Sequence, residues 1–307
     1  MPAQHCSHPR TFEPLVEALT PELQDKLTGL RQTIANLPAA VVAYSGGVDS
    51  TLVAAIAGEQ LGQRATAVTG ISAALAPHLR REAQLQAEWM GVEHQEITTH
   101  ELNDPAYASN PSERCYACKR ELHTLLRALI LRQEPNGAVV LDGVNLDDLG
   151  DHRPGILAAQ EQGVRSPLAE LGISKAGVRA ISRALGLPWW DKPAQPCLAS
   201  RFPYGEAISS ARLERVAAAE AWLRQHGFEQ LRVRSQGESA RIELPPEQLI
   251  NVIHEPFRQA LVTTFLDLGF TAVSLDLEGL ISGKLNRGLV ATEHHRLQPN
   301  KKPPSQA

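Results

Sequence analysis

The chain has 307 residues and a mass of 33.4 kDa, which corresponds to about two domains of ~150 residues each. Hydrophobic residues make up 43% and charged residues 21%, and this balance excludes a disordered, collagen-like or coiled-coil chain. The net charge of −4 gives no overall positive field of the kind that binds nucleic-acid phosphates.

The cysteines and the N-terminus bear on the cellular compartment. Four cysteines, Cys6, Cys115, Cys118 and Cys197, are too few for a disulfide framework. The N-terminal residues lack the basic stretch and apolar run of a signal peptide. The apolar stretches fall far short of the ~20 residues that span a membrane. We therefore expect a cytoplasmic protein without a membrane partner.

Apolar spacing predicts alternating helices and strands in the first two thirds of the chain. Leucines at three- and four-residue spacing predict an amphipathic helix over 20–37, capped by Thr20. Strands are predicted over 39–44, 64–69, 93–98 and 138–142, and further helices over 49–61, 76–89, 113–132 and 175–185. This alternation predicts an α/β fold with a doubly wound, mostly parallel sheet covered on both faces.

The composition changes after residue 186. Residues 187–205 contain four prolines and two tryptophans without periodicity, which is typical of a functional loop or linker. Beyond them we predict a smaller α+β domain, with helices over 211–226 and 246–268 (interrupted near Pro256) and strands over 230–235, 240–244 and 271–277. The expected divisions are a flexible arm over 1–18, domains over 19–205 and 206–290, and a disordered tail over 291–307.

The segment Ser45-Gly46-Gly47-Val48-Asp49-Ser50 lies between the first predicted strand and a helix. Glycines let the backbone approach a ligand closely, and a helix N-terminus offers free N–H groups and a positive dipole end. The pattern therefore predicts an anion cradle, with an ordinary turn capped by Asp49 as the alternative. It is neither a Walker A loop nor a dinucleotide fingerprint. Gly283-Lys284 lacks the upstream glycine of a Walker A loop and is interpreted as a loop with a surface lysine.

The S-G-G-x-D-S pattern after a first parallel strand resembles the PP-loop of the N-type ATP pyrophosphatases. The resemblance implies that residues 45–50 hold the β- and γ-phosphates of ATP with Mg²⁺. A substrate oxygen then attacks the α-phosphorus, giving an adenylate and pyrophosphate. Asp49 would act near the metal or the pyrophosphate, and Gly70 and Ser72 would lie near the adenosine.

Cys115 and Cys118 form a CxxC pair at the start of a predicted helix. The helix dipole and the neighbouring Arg114 and Lys119 are expected to lower a thiol pKa. Three functional interpretations stay open at this point. They are a zinc site completed by His123 with Cys6 or Cys197, a redox pair, and ligation of an iron–sulfur cluster with a third cysteine; the plain alternative is two idle thiols.

A second signature surrounds Cys197 and reads P-C-L-A-S-R-F-P-Y-G. Together with S-G-G-V-D-S, it resembles the LarE family, the ATP-dependent sulfur transferases of nickel-pincer cofactor biosynthesis, which supplies lactate racemase. The resemblance covers roughly residues 20–286, and the Cys197 segment is its specific part. Further matching segments lie at 142–148, 151–155, 166–168, 232–243 and 276–283.

The resemblance implies a mononucleotide substrate bearing pyridinium carboxylates. ATP adenylates a carboxylate, a sulfur atom attacks the adenylate, and a thiocarboxylate results. In single-cysteine members the cysteine matching Cys197 loses its own sulfur and becomes dehydroalanine. This chain also carries Cys115 and Cys118, so we expect a three-cysteine member. In such a member the three catalytic cysteines hold a [4Fe-4S] cluster that delivers sulfide, while Cys6 is a bystander.

The resemblance also assigns roles to polar residues and to partners. Arg232 and Arg234 are expected to hold the substrate phosphate, and Glu220 and Glu243 a divalent metal ion. Their plain alternatives are a solvated strand face and surface carboxylates. Arg201 is expected to hold the phosphate as well, with stabilisation of a thiolate as its alternative. An acidic loop, Asp147, Asp148 and Asp151, is placed near ATP–Mg²⁺, with a helix-capping role for Asp148 as the alternative. The expected partners are other enzymes of cofactor biosynthesis and further copies of this chain.

Other classes of protein share parts of this pattern. A tRNA-thiolating PP-loop enzyme also combines S-G-G-x-D-S with three cysteines, but the net charge of −4 disfavours an RNA-binding surface. A nucleotide-binding or cluster-carrying protein without enzymatic activity would release neither AMP nor pyrophosphate. An amide-forming synthetase would need a glutaminase domain that this length does not accommodate.

Overall fold

The structure is a computed structural model that describes residues 19–133, 137–150, 154–281, 283–284 and 287. By contacts the chain divides into two units. One unit comprises the residues up to Leu198 together with Ala207–Leu213, and the other comprises Ala199–Glu206 together with the chain from Glu214 onward. The predicted boundary at residue 205 lies in the stretch where the chain passes between the units. The predicted arm and tail lie outside the described residues.

The first unit alternates strands and helices, as predicted. Its strands are β1 (Ala40–Ala43), β2 (Ala65–Ile71), β3 (Glu93–Thr98) and β4 (Val139–Leu141). Its helices are α1 (Pro21–Ala35), α2 (Val48–Leu61), α3 (Pro77–Met90), α4 (Pro105–Ala108), α5 (Arg114–Gln133), α6 (Pro154–Glu161), α7 (Pro167–Glu170) and α8 (Lys175–Ala184). The short helices α4, α6 and α7 were not predicted, and each begins with a proline, which suits a first helical turn.

The four strands form one parallel sheet in the order β3-β2-β1-β4. Successive side chains of β1 enter different cores: Val42 packs in one hydrophobic cluster, and Val41 and Ala43 pack in the other. A strand buried on both faces needs helices on both sides. The predicted doubly wound α/β fold is therefore confirmed.

The second unit contains a mixed sheet and helices. Helix α9 (Ser210–Gln225), whose residues up to Leu213 belong to the first unit, is followed by β5 (Arg232–Gln236), β6 (Ser239–Glu243), α10 (Leu249–Ile253), α11 (Phe257–Asp267) and β7 (Ala272–Leu275). β5 and β6 form the predicted antiparallel hairpin, and β7 adds in parallel to β6. The helical segment is interrupted beside Pro256, as predicted. Within the described ranges, no helix is both long and apolar enough to cross a membrane.

Candidate active site

The loop between β1 and α2 forms a cradle of donor groups. Helix α2 begins at Val48 with Gly47, rather than Asp49, as its N-cap, so the first N–H groups of α2 lie at the loop. The hydroxyl oxygens of Ser45 and Ser50 are 3.2 Å apart. The Ser50 hydroxyl also donates to the Gly47 carbonyl oxygen at 3.2 Å. The serines therefore hold the loop closed around the helix end, where an anion is favoured.

Gly46 is required at its position for two reasons. Its φ is +68°, which is unfavourable for residues with a Cβ. A Cβ at this position would also lie 3.2 Å from Ala83 Cβ of α3. The cradle therefore lies directly against α3.

The loop after β4 contacts the cradle. Asn145 Nδ2 donates to Asp49 Oδ1 at 3.1 Å. Strands β2 and β3 lie on one side of β1, and β4 lies on the other side. The order of the strands therefore reverses between β1 and β4, and parallel α/β sheets bind ligands at such a switch point. Burial raises the pKa of Asp49, the hydrogen bond from Asn145 partly offsets this shift, and the neighbouring Asp148 carboxylate raises the pKa further.

Gly143 provides the closest approach between these two loops. A Cβ at Gly143 would lie 2.6 Å from Ser50 N, so Gly143→Ala is expected to displace the first turn of α2. We predict a loss of about 100-fold in kcat/KM for ATP, because a displacement of about 1 Å at a reacting site has an effect of this size. The measurement is ATP-dependent pyrophosphate release.

Gly150→Ala is the matched control for this variant. A Cβ at Gly150 meets no atom of the described residues within 4 Å, so wild-type kinetics are expected. Equal kinetics for the two variants would contradict a phosphate site at this switch point.

Two carboxylates of the acidic loop, those of Asp147 and Asp148, accept hydrogen bonds from backbone N–H groups. Asp147 Oδ2 accepts a hydrogen bond from the Lys175 backbone N–H at 2.7 Å, at the start of α8. Asp148 is buried, and its Oδ2 accepts from the Asn145 backbone N–H at 3.2 Å. The role of these carboxylates near ATP–Mg²⁺ stays a prediction, and Asp151 lies outside the described residues.

The two predicted adenosine residues lie at the end of β2 and in the following loop. A Cβ at Gly70 would lie 3.1 Å from both Leu122 Cδ1 and Thr99 Cγ2, so close packing explains this glycine. The Ser72 hydroxyl donates to Glu101 Oε1 at 2.6 Å and accepts from the Ala74 N–H at 3.2 Å. Their contact with adenosine stays a prediction.

The three predicted cysteines lie in the same unit as the cradle. Helix α5 begins at Arg114, so Cys115 and Cys118 occupy its first turns, as predicted. Cys115 and Cys197 are exposed and Cys118 is half-buried. The Leu198 backbone N–H donates to the Ala74 carbonyl at 2.8 Å, which holds the Cys197 segment beside the loop after β2.

The expectation of a lowered thiol pKa is wrong for Cys118. Burial raises the pKa of Cys118 to about 12, and the charges of Glu101, Cys197 and Cys115 add to this shift. Lys119 opposes the shift, as predicted, but with a smaller effect. Sequence reasoning missed Glu101, because only the fold brings this buried carboxylate to the start of α5.

The raised pKa predicts slow alkylation of Cys118 in the metal-free protein. The thiolate is the reactive form, so at pH 8 Cys118 is expected to react with iodoacetamide at least about 100-fold more slowly than an ordinary thiol of pKa about 8.5. Its rate should keep rising above pH 10. Peptide mass spectrometry after timed alkylation measures this rate, and rapid labelling of Cys118 at pH 7 would contradict the burial and charge argument. Glu101→Gln is expected to speed the reaction.

The side chains around the predicted metal sites differ in how well they suit zinc and an iron–sulfur cluster. His123 is buried, and burial together with Lys119 lowers its pKa to about 3, so its ring is neutral. Among the described residues, no three His, Cys, Asp or Glu side chains are arranged to hold a metal ion. Each thiolate of a cluster binds a different iron atom, so the thiolates need not meet at one point. The three thiols, with Cys118 electrostatically coupled to the other two, suit a cluster in their donor chemistry.

The second unit buries two arginine–glutamate pairs. Arg201 forms a two-pronged pair with Glu220, with Nε–Oε1 at 2.7 Å and Nη2–Oε2 at 3.1 Å. Arg234 Nη2 lies 2.8 Å from Glu243 Oε2. Both glutamates, predicted as ligands of a divalent ion, thus bind arginines here, and their metal-binding role stays a prediction. Arg232 is half-buried, and burial and the charges of Arg234 and Arg201 lower its pKa.

A cavity of about 170 Å³ opens beside these pairs. It is lined by Arg201, Pro203, Arg234, Gln236, Arg241, Glu243 and Lys284. Four of these residues carry a positive charge, and the planar donor groups of the three arginines are well suited to phosphate. Sequence reasoning missed Arg241 and interpreted Lys284 as a surface lysine. That interpretation is wrong, because the Lys284 side chain is only 10% exposed and its amine lies 2.6 Å from Asp276 Oδ2.

The parallel sheet in the order β3-β2-β1-β4, with a glycine-rich donor loop at its switch point, is the architecture of the PP-loop class of α/β folds. A family model described as asparagine synthase matches residues 31–108, which include the cradle. The chain is also 35% identical to the pyridinium-3,5-bisthiocarboxylic acid mononucleotide synthase of Lactiplantibacillus plantarum, over 88% of this chain and 97% of that protein. It therefore belongs to the LarE family.

Two uncharacterized proteins are also similar to the chain. One, from Synechocystis sp., is 56% identical over 87% of this chain and 99% of its own length. The other, from Methanocaldococcus jannaschii, is 29% identical over 78% of this chain and 89% of its own length.

Proposed function

We propose that the protein is an ATP-dependent sulfurtransferase of nickel-pincer cofactor synthesis. It adenylates a carboxylate of a pyridinium mononucleotide, releases pyrophosphate, and replaces the activated oxygen with sulfur as AMP leaves. The observation that carries this proposal is the anchoring of the Cys197 segment. The hydrogen bond from Leu198 to Ala74 holds an exposed thiol, that of Cys197, in the unit that also contains the proposed phosphate cradle.

The residues of the cradle supply the adenylation half of this reaction. Backbone N–H groups at the start of α2 and the hydroxyls of Ser45 and Ser50 are fixed donors for the phosphates. Fixed donors stabilise developing charge on the leaving pyrophosphate without reorganisation. Mg²⁺ would lie near Asp49 and neutralise charge on the same phosphates.

The cavity of the second unit is the proposed binding site for the phosphate of the substrate. Arg234 and Arg201 line it, and Arg232 adds positive charge nearby. Arginine matches phosphate through two parallel hydrogen bonds, so this cavity would select a mononucleotide over a free pyridinium carboxylate.

Cys115, Cys118 and Cys197 are the proposed holders of a [4Fe-4S] cluster, which when bound would supply the sulfide that is transferred. Three thiolates leave one corner of the cluster open. The sacrificial alternative, in which Cys197 loses its own sulfur, needs neither Cys115 nor Cys118. The presence of all three in one unit therefore favours the cluster.

The test is a direct product assay on the anaerobically purified protein. It is incubated with ATP, Mg²⁺ and a pyridinium mononucleotide dicarboxylate, and AMP, pyrophosphate and thiocarboxylate are measured separately. We expect all three products. ATP binding without AMP or pyrophosphate would contradict the proposal and support a nucleotide-binding protein, whereas tight, salt-sensitive binding of bulk tRNA would support a tRNA-thiolating enzyme.

A further inference from the structure

Lys192 places its amine at the phosphate cradle. Its Nζ donates to the Gly46 carbonyl oxygen at 3.1 Å and lies 2.5 Å from Glu82 Oε2. The Lys192 side chain is 12% exposed, whereas that of Glu82 is 40% exposed. The Lys192 amine is therefore largely withdrawn from solvent, whereas its partner Glu82 is open to water, which can replace the Glu82 carboxylate in this contact.

The segment that carries Lys192 is anchored to two helices. Trp189 packs edge-to-face on Trp89 of α3, with ring centroids 5.5 Å apart. The Arg183 guanidinium lies 5.0 Å above the Trp190 ring. Arg179 of α8 donates to the Lys192 carbonyl oxygen at 3.0 Å. These contacts fix the backbone of Lys192, so its amine is directed to the cradle by the fold.

The cradle itself contains no cation. Residues 45–50 supply hydroxyl and N–H donors together with the carboxylate of Asp49. A Walker A loop, in contrast, carries a lysine that reaches the β- and γ-phosphates. A polyphosphate bound at residues 45–50 would therefore lack a positive side chain from the loop, and Lys192 reaches the same place from a distant part of the sequence.

We propose that Lys192 binds the β- and γ-phosphates of ATP and stabilises the leaving pyrophosphate, an inference that rests on the proposed adenylation. On ATP binding, Nζ exchanges the Gly46 carbonyl for a phosphate oxygen. The substrate carboxylate oxygen then bonds to the α-phosphorus, and the bond from the α-phosphorus to the bridging oxygen breaks. The electron pair of that bond leaves with pyrophosphate. Lys192 keeps its proton throughout and contributes only charge and a hydrogen bond.

The same residue connects the cradle with the cysteine segment. Residues 192–198 are held at one end by Lys192 on Gly46 and at the other by Leu198 on Ala74. Cys197 lies within this short segment. One short segment therefore carries both the proposed phosphate ligand and the thiol.

The first test compares Lys192→Met with Lys192→Arg in pyrophosphate release from ATP. We expect kcat to fall about 100-fold in Lys192→Met, the effect of removing one charge-stabilising donor, with a smaller change in the KM for ATP. Lys192→Arg should recover a large part of kcat, because it retains the charge. A merely structural lysine would instead lower the melting temperature without this split between kcat and KM.

Lys26→Met is the matched control. Lys26 also donates to a glycine carbonyl, Gly172 at 2.9 Å, and pairs with a glutamate, Glu22 at 2.7 Å. It lies on α1, outside the proposed machinery, so its replacement should leave kcat unchanged. Wild-type kcat in Lys192→Met would overturn the inference.

Titration calorimetry with inorganic pyrophosphate separates this inference from the proposed function. We expect the Kd for pyrophosphate to rise about tenfold or more in Lys192→Met, which corresponds to one lost charged hydrogen bond. This result would support the Lys192 contact even if the wild-type protein released no pyrophosphate with a pyridinium substrate, an outcome that would defeat only the proposed function. An unchanged Kd would overturn the inference while leaving the proposed function intact.

Discussion

Cys197→Ala is expected to reduce thiocarboxylate formation by at least about 1,000-fold, because the variant lacks one of the three thiolates proposed to hold the sulfide-supplying cluster, and losses of this size are usual when a group essential to the reaction is removed. Pyrophosphate release should change by no more than a few-fold. The reason is that the thiol is not among the groups proposed to bind the phosphates, which are residues 45–50 and Lys192. The measurement follows the two products separately in one reaction.

Cys6→Ala is the control for this variant, because the sequence assigns Cys6 no role. It should behave as wild type. Full thiocarboxylate formation by Cys197→Ala would contradict the central assignment of the site.

The fate of Cys197 after turnover distinguishes the two sulfur sources. A catalytic cluster predicts a brown protein with about four iron atoms per chain and an unchanged Cys197 mass after many turnovers. Loss of hydrogen sulfide from Cys197, seen by peptide mass spectrometry, would instead show that the cysteine is consumed. A colourless protein with one bound zinc ion would support the zinc interpretation.

Glu220→Ala is expected to destabilise the second unit by about 3–5 kcal/mol, the usual cost of leaving one member of a buried ion pair without its partner. Arg201 and Glu220 are only 3% and 2% exposed, and Glu220 also accepts the Val233 N–H at 3.1 Å. Truncation therefore removes the carboxylate that pairs with the buried Arg201 guanidinium, and it leaves the buried Val233 N–H without its acceptor. Urea denaturation of the full chain measures the change in free energy of unfolding.

An exposed pair in the same unit provides the comparison. Arg258 and Glu255 are 54% and 52% exposed, so Arg258→Ala should cost no more than about 1 kcal/mol. The double variant Arg201→Met with Glu220→Leu should recover part of the stability lost in Glu220→Ala, because no unpaired charge stays buried. Equal losses for Glu220→Ala and Arg258→Ala would contradict the argument.

The sequence was sufficient to predict the elements that repeat regularly. Val42 and its neighbours form a continuous apolar run, which indicates a strand buried on both faces, and Ser45-Gly46-Gly47 marks the switch-point loop directly. The start of α5 at Arg114 was also predictable, since the CxxC pair precedes a long helical pattern. These features depend on neighbours in the chain, so local periodicity and turn residues are enough to detect them.

Features that depend on distant residues were not predictable. Lys284 lies at the same cavity as Arg201 only because β7 pairs with β6, and no local sequence pattern predicts that pairing. Glu101 raises the pKa of Cys118 from a different element. The short helices at Pro105 and Pro167 contain four residues each, too few for a 3.6-residue period to emerge.

The cations that line the cavity are held in ion pairs within the protein. The carboxylates of Glu220, Glu243 and Asp276 already fix the lining cations before any ligand arrives. Ordering long side chains around a ligand costs entropy, and that ordering has been completed during folding. Recognition would therefore depend on the shape of the phosphate and its hydrogen-bond directions more than on bulk attraction between charges. A preorganised cavity of this kind discriminates between anions of equal charge.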